Sequence, residues 1–340
     1  MTSFYYTLLL ILWMMFGSFS SVIIHRLKSG ESGIWTGRSH CKTCSRNLSA
    51  LELLPVLSWI FQKGRCRGCK QKISALYPIL EISSGLLFCA IWVFLTDSSL
   101  LLQGNFLEII KLGFFLFIGF LTIIYVFYDI LFLEIPEGVL LTWNIFLLIV
   151  LSVQSVFPEL QILPTIVNSQ WELYPAIAGI LLAIWIIWVL YYMMLAGKEN
   201  IHDIAIIIAC IVGICFWKYI FGIPFSSVPI MSGIIGALGI FLFLYIQILV
   251  SGGAWMWGGD LRIALLMWMT LGITFSFSGV MLSYFIWSII SIGLILVHKV
   301  QWWWKKNFEK QVPFGPFLAA GYFWVLFFSQ YIESIMRIYL

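Results

Sequence analysis

The sequence predicts an all-α polytopic membrane protein of about ten transmembrane helices with a small cytoplasmic loop domain. Three observations predict it: an excess of apolar residues, their grouping into runs of spanning length, and the crowding of positive charge into one early loop. Of 340 residues, 62% are hydrophobic and only 10% are charged, with a mean hydropathy of +1.02. Soluble domains carry roughly 25% charged residues. A soluble fold of this length cannot hide so much apolar surface, so lipid must cover much of it.

The runs follow in order. Phe4 to Ile24 is an apolar stretch with no basic segment before it and no small-residue cleavage site after it, so it reads as a retained first span rather than a secretory signal. Further runs lie near 77–95, 107–128, 138–157, 174–196, 203–221, 230–250, 261–275, 279–297 and 316–335. The 203–221 run opens on Asp203, and 261–275 is short for a span. Cys89, Cys210 and Cys215 fall within these apolar runs and read as packing residues.

Charge sets the orientation. The net charge is only +4, yet ten of the 19 Lys and Arg residues lie between Arg26 and Lys72, opposed there only by Glu31 and Glu52. A basic segment can bind nucleic acid, but a basic loop between two spans marks the cytoplasmic side, and no nucleic-acid partner is expected. With 25–76 inside, the inner loops near 129–137, 197–202, 251–260 and 298–315 add Lys198, Lys299, Lys305, Lys306 and Lys310. Inner loops then hold 15 of the 19 basic residues, while the outer loops near 96–106, 158–173 and 222–229 hold none. Removing one span would move the 298–315 cluster outside, so the asymmetry supports ten. Gln301 to Trp304, beside these lysines, has the composition of an interfacial aromatic anchor.

The basic loop carries Cys41-Lys42-Thr43-Cys44 and Cys66-Arg67-Gly68-Cys69, two C-x-x-C pairs with 21 residues between them. Four thiolates from two such pairs make a closed tetrahedral zinc site. Arg38, Lys42, Arg46, Arg65, Arg67 and Lys70 nearby would favour the thiolates. Disulfides are the alternative, and a reducing cytoplasm argues against them. With every position filled by protein, such a zinc ion is structural and staples a loop that lacks much core of its own.

Two aspartates carry the other chemical signal. Asp129 ends a charge-free run that begins at Gly113, and Asp260 lies in Gly258-Gly259-Asp260-Leu261-Arg262 at the start of another. Ionisable groups at such positions are functional by default. On the topology above both fall at cytoplasmic span ends, where they can face each other and share a proton. One can then act as base on a water and the other as acid toward a peptide carbonyl. The adjoining glycines would let backbone come close to the carboxylate. The alternative is that each Asp caps a helix or pairs with a Lys. Glu81, Asp203 with His202, and His25 with Arg26 read as satisfied interfacial groups, and Glu134 and Glu137 as solvated loop residues.

Taken together, these motifs resemble those of the type IV prepilin peptidases. Gly17-Ser18-Phe19 with His25-Arg26-Leu27 is similar to that family's opening signature. The cysteine pairs flank Leu54-Pro55-Val56-Leu57-Ser58-Trp59, and Tyr77-Pro78-Ile79-Leu80-Glu81 follows. Asp129 with Ile135-Pro136, Gly259-Asp260, and the tail Val312-Pro313-Phe314-Gly315-Pro316-Phe317 complete the order. Where the family usually has G-x-G-D followed by x-Lys, Trp257 and Arg262 stand here. Glu137 and Ser21 replace an Asp and an Asn common in it, and 158–249 is longer than the family pattern.

The resemblance implies a membrane aspartic endopeptidase of the bacterial inner membrane. Its substrates would be prepilins or pseudopilins of pilus assembly and type II secretion, cut after a glycine at the cytoplasmic face. Asp129 and Asp260 would be the catalytic pair, with Gly258, Gly259, Arg262 and Glu81 in support. Cys41, Cys44, Cys66 and Cys69 would hold zinc, making 25–76 a zinc-binding cytoplasmic loop domain between the first span (1–24) and a membrane peptidase domain (77–340). N-methylation of the new N-terminus with S-adenosylmethionine would be a second activity. A proton- or ion-coupled transporter is the alternative from the membrane carboxylates alone; it predicts mid-span acids and internal repeats, whereas these aspartates lie near span ends.

Overall fold

A computed structural model describes residues 2–30, 39–41, 43–157, 159–163, 173–196, 201–252, 258–301 and 313–339. Arg38, Lys42, Lys198, Trp257, Trp302 to Trp304, Lys305, Lys306, Lys310 and Val312 lie outside the described residues, as does most of the 158–173 loop. Apart from two isolated bridges, the described residues are helix, turn and loop. In lipid every backbone N–H and C=O must find a partner within the protein, and an α-helix does this within one segment.

The chain divides into two compact units, Met1–Val139 and Leu140–Leu340. In the first, helix α1 (Thr2–Ser29) precedes the cysteine segment with its short α2 (Leu57–Phe61). Helix α3 (Leu76–Leu95), the short α4 (Ser98–Leu102) and α5 (Phe106–Phe132) follow. Helices α1, α3 and α5 pack on one another. The side chain of Asn105 caps α5 by accepting from the Leu107 and Glu108 N–H groups. Its other end stops where Leu133 takes a left-handed backbone (φ 53°) and returns its N–H to the Asp129 carbonyl.

Gly17 shows why a small residue stands in the opening motif. A Cβ there would lie 2.8 Å from the Glu81 Cα and would collide with Ser84, so only glycine lets α1 approach α3 this closely. Trp13, Phe16 and Phe88 close the layer by edge-on ring contacts.

The second unit takes in nearly all of α6 (Glu137–Val156). It continues through α7 (Leu173–Ala196), α8 (Ile201–Phe221), α9 (Pro229–Ser251), α10 (Gly258–Gln301) and α11 (Gly315–Tyr339). Helix α9 packs on α7 and α10, and α10 on α11. The 158–249 region therefore supplies three helices, and α9 is central to this unit's packing. Deep in the unit, Thr270 donates a 2.8 Å hydrogen bond to the fully buried Tyr322 hydroxyl, whose ring meets Trp143 edge-on.

Seven described helices are long and apolar enough to cross a membrane, and a shorter apolar helix covers Ile207–Phe221. Helices also stand at the other predicted places. The 261–275 and 279–297 runs form one 44-residue element, broken at Gly272 (φ 66°, ψ −178°) rather than in the predicted gap after 275. The break lies against α9. A Cβ on Gly236 would lie 2.7 Å from the Gly272 carbonyl carbon, so backbone meets backbone at the break.

This contact yields a test. Gly236→Ala should lower stability by about 1–3 kcal/mol, read as thermal unfolding in detergent. Gly239→Ala, where an added Cβ meets nothing within 4 Å, should leave the transition in place.

Candidate metal centre and membrane carboxylates

Each cysteine pair forms a turn of the same design. The Cys41 N–H bonds the Arg46 carbonyl and the Ser45 N–H returns to Cys41; the Cys66 N–H bonds the Gln71 carbonyl and the Lys70 N–H returns to Cys66. Ser45 and Lys70, each just after a second cysteine, both take left-handed backbone (φ 54° and 59°). The turns are closed by antiparallel bridges at His40–Asn47 and Arg65–Lys72. Repeated geometry from unrelated sequence is what a shared ligand demands of both loops.

The four sulfurs all lie within 4.8 Å of one another, and those of Cys41 and Cys69 are 3.8 Å apart. Zn–S bonds of about 2.3 Å in a tetrahedron put sulfurs about 3.8 Å apart, so the donor set fits zinc. None of the seven cysteines forms a disulfide in this structure. Backbone N–H groups of Cys69 and Gly68 point at Cys66 and bring its thiol down to about 6. Those of Cys44 and Thr43 lower Cys41 in the same way. Cys69 receives the Gln71 N–H, which lowers it, yet burial and its neighbouring cysteines carry it up to about 11. Without a cation the cluster cannot hold four negative charges; a metal would take all four as thiolates.

Two supports sit beside the centre. Glu52 is buried, accepts from Arg46 Nη2 at 2.6 Å and closes a capping box with Ser49, joining the first cysteine turn to the 3-10 turn at Ala50–Leu53. Trp59 donates its Nε1–H to the Ile73 carbonyl at 3.2 Å and lies against Gly64, bracing the second turn. Of the remaining cysteines, Cys210 is fully buried as expected, whereas Cys215 is exposed on α8.

Glu81 is more than a satisfied interfacial group. It is buried in α3 and accepts the Val56 N–H at 2.7 Å, and the Ser18 side chain also hydrogen-bonds it. The opening motif, the Leu54–Trp59 segment and the Tyr77–Glu81 segment therefore converge on one carboxylate. His25 and Tyr77 share a 2.8 Å hydrogen bond beside it.

Asp129 is buried (8% exposed) in the last turn of α5. Lys28, at the end of α1, bonds Glu134 at 2.8 Å and lies over the Phe132 ring, so it holds the turn that follows Asp129. Both partners of that ion pair are well exposed, so it adds little stability and serves to orient the turn. Glu134 is thus a paired residue rather than a purely solvated one, and Glu137 opens α6. Asp260 is also buried (9% exposed), in the first turn of α10 after Gly258 and Gly259. It lies within electrostatic reach of Tyr284, which donates to Gln247 and touches Phe314 of the tail motif. Arg262 follows on α10, half-buried. Lys28 and Tyr284 carried no motif of their own in the sequence.

These features define a polytopic membrane protein that carries a four-thiol, metal-type domain and a buried aspartate in each unit. The family model described as Bacterial Peptidase A24 N-terminal domain matches residues 11–95, the stretch spanning both cysteine turns and α3. A prepilin leader peptidase/N-methyltransferase of Aeromonas salmonicida is 24% identical over 99% of this chain and 94% of its own length. Proteins of the same name from Myxococcus xanthus and Bacillus subtilis are 43% and 47% identical over 24% and 16% of this chain, covering 24% and 21% of their own lengths. No solved structure matches. The chain is similar over nearly its whole length to a protein named as a prepilin leader peptidase/N-methyltransferase, the likeness that its ordered motifs predict.

The Glu52 ion pair predicts an acid response. Arg46 first, then the Ser49 N–H, hold the Glu52 carboxyl at about 2 against the usual 4.5. A depressed folded value stabilises the loop above about pH 4.5 and loses that contribution as pH falls toward 2. Protease sensitivity of the 39–75 segment should rise through that window, and Glu52→Gln should be sensitive already at pH 5. Equal acid profiles for the two proteins would contradict it.

Proposed function

We propose that the chain is a membrane aspartic endopeptidase that removes the leader of type IV prepilins or pseudopilins. It cuts after a glycine at the cytoplasmic face of the bacterial inner membrane. Full-length similarity to enzymes named as prepilin leader peptidases supports the substrate class. The observation that carries the chemistry is the burial of two motif carboxylates, Asp129 and Asp260, each at one end of a membrane helix. Water is scarce at such positions, which strengthens electrostatic interactions there, and an ionisable group in a membrane segment is a functional-site candidate by default.

In the proposed mechanism one carboxylate takes a proton from water, whose oxygen attacks the carbonyl carbon of the scissile bond. The other carboxyl gives its proton to the carbonyl oxygen. As the resulting diol collapses, the C–N bond breaks and the leaving nitrogen takes a proton from the pair. Gly258 and Gly259 let the substrate backbone approach Asp260, and Arg262 and Glu81 act as supporting residues. Residues 77–340 form the peptidase domain of this proposal and 25–76 its zinc-binding loop.

Cys41, Cys44, Cys66 and Cys69 would hold the zinc. A tetrathiolate ion supplies structure and no open coordination position. The paired name of the relatives extends the proposal to methylation of the new N-terminus, with S-adenosylmethionine as donor.

Purified enzyme and a prepilin bearing a Gly–Phe junction provide the test. Asp129→Asn and Asp260→Asn should each lower kcat/KM by about a hundredfold or more; cleavage at the wild-type rate by both would refute the mechanism. A gain of one methyl group by mass spectrometry, dependent on S-adenosylmethionine, tests the second activity. For the metal, elemental analysis should find zinc in the wild type. Cys66→Ser should reduce it and open the 39–75 segment to protease. Undiminished zinc in that variant would rule out the four-thiolate assignment.

A further inference from the structure

The cysteine domain exposes apolar side chains that none of the described elements covers. Leu51 is 67% exposed, Phe61 74%, and Leu57 and Ile60 each about half. Leu57, Ile60 and Phe61 stand at i, i+3 and i+4, so they share one face of α2. Trp59 on the same helix turns the other way, onto Gly64 and Ile73. A cluster of large exposed apolar residues outside the spanning helices marks a surface meant for something apolar.

Two further observations say what that is. The first is depth. The Val56 N–H is bonded to the carboxylate of Glu81, the sixth residue of α3, whose Cα lies about 7.5 Å along a spanning helix from its start. Interfacial segments bury their apolar face about 5–10 Å into the boundary between headgroups and acyl chains. The attachment is not casual. Val56 adopts φ 59°, ψ −49°, and Leu57 N–H bonds the Pro55 carbonyl, a γ-turn that a β-branched residue enters only under strain. Glu81 holds the chain in it.

The second observation is charge. Between Leu57 and Ala75 the chain has Lys63, Arg65, Arg67, Lys70 and Lys72, all exposed, and no acidic residue. The neighbouring Glu52 is buried and already bonded to Arg46. An apolar face flanked by unopposed cations is complementary to an anionic lipid surface.

We infer that residues 50–61 form an interfacial wedge that seats in the anionic leaflet beside α3, with Leu51, Leu57, Ile60 and Phe61 among the acyl chains and the Lys63–Lys72 cations at the headgroups. The wedge holds the four-thiol domain against the membrane surface rather than free above it. This inference needs the chain to be in a bilayer and does not depend on the peptidase reading.

The test uses the full chain in nanodiscs with no substrate present. A spin-labelled non-canonical amino acid replaces Phe61 in one sample and Lys70 in another. Collision with oxygen, relative to collision with a water-soluble nickel complex, reports depth. In phosphatidylglycerol discs the ratio at position 61 should exceed that at position 70 at least threefold. It should fall at least twofold in phosphatidylcholine discs or on raising the salt. Equal ratios at the two positions would overturn the wedge, whatever the peptidase assays give. A ratio at 61 indifferent to headgroup charge and salt would overturn the electrostatic part. A benzophenone amino acid in place of Phe61 gives a second readout: photo-cross-links to phospholipid support the inference, and cross-links to protein alone count against it.

Discussion

The Val56–Glu81 hydrogen bond is the point on which the first unit turns. A carboxylate buried in a spanning helix is expensive unless it is hydrogen-bonded, and here a backbone N–H from the cysteine segment supplies one bond and the Ser18 side chain another. The same bond holds Val56 in a backbone conformation it would otherwise leave. Gly17 is small because α1 must pass within van der Waals contact of the Glu81 backbone. Membrane helices and metal-type loop are thus one structure, joined where water is scarce.

Elsewhere, close approach rather than hydrophobic drive organises the helices. Lipid is as apolar as any leucine, so spans associate by packing and by hydrogen bonds between small and polar residues. Gly236 against Gly272, and Thr270 against Tyr322, are of this kind. The break in α10 at Gly272 lies at the first of these contacts.

Much of this was legible in advance. Runs of apolar residues have to become helices in lipid, so every predicted span has a helix at its place, while the break in α10 moved to Gly272. Each C-x-x-C turn brings two sulfurs together locally, and the shared ligand chemistry of four cysteines signals that the pairs meet, as they do. Glu81 was visible only as an acid in an apolar run. Its partner lies 25 residues away in sequence and donates a backbone N–H, which carries no side-chain signature. Lys28 with Glu134, 106 residues apart, was invisible for the same reason. Cys215 was placed inside by composition, but a lipid-facing surface accepts a thiol as readily as a core does, and it is exposed.

Composition and spacing by themselves determined the membrane class, the positions of the helices and the two C-x-x-C turns, because these depend on local geometry and on the solvent each segment meets. The tertiary structure alone decided which polar groups are spoken for. It showed that Glu81 belongs to Val56, that His25 meets Tyr77, and that α9 and α10 touch through glycine. Such pairings depend on chain segments distant in sequence arriving at one point, and no periodicity or motif encodes the distance between them.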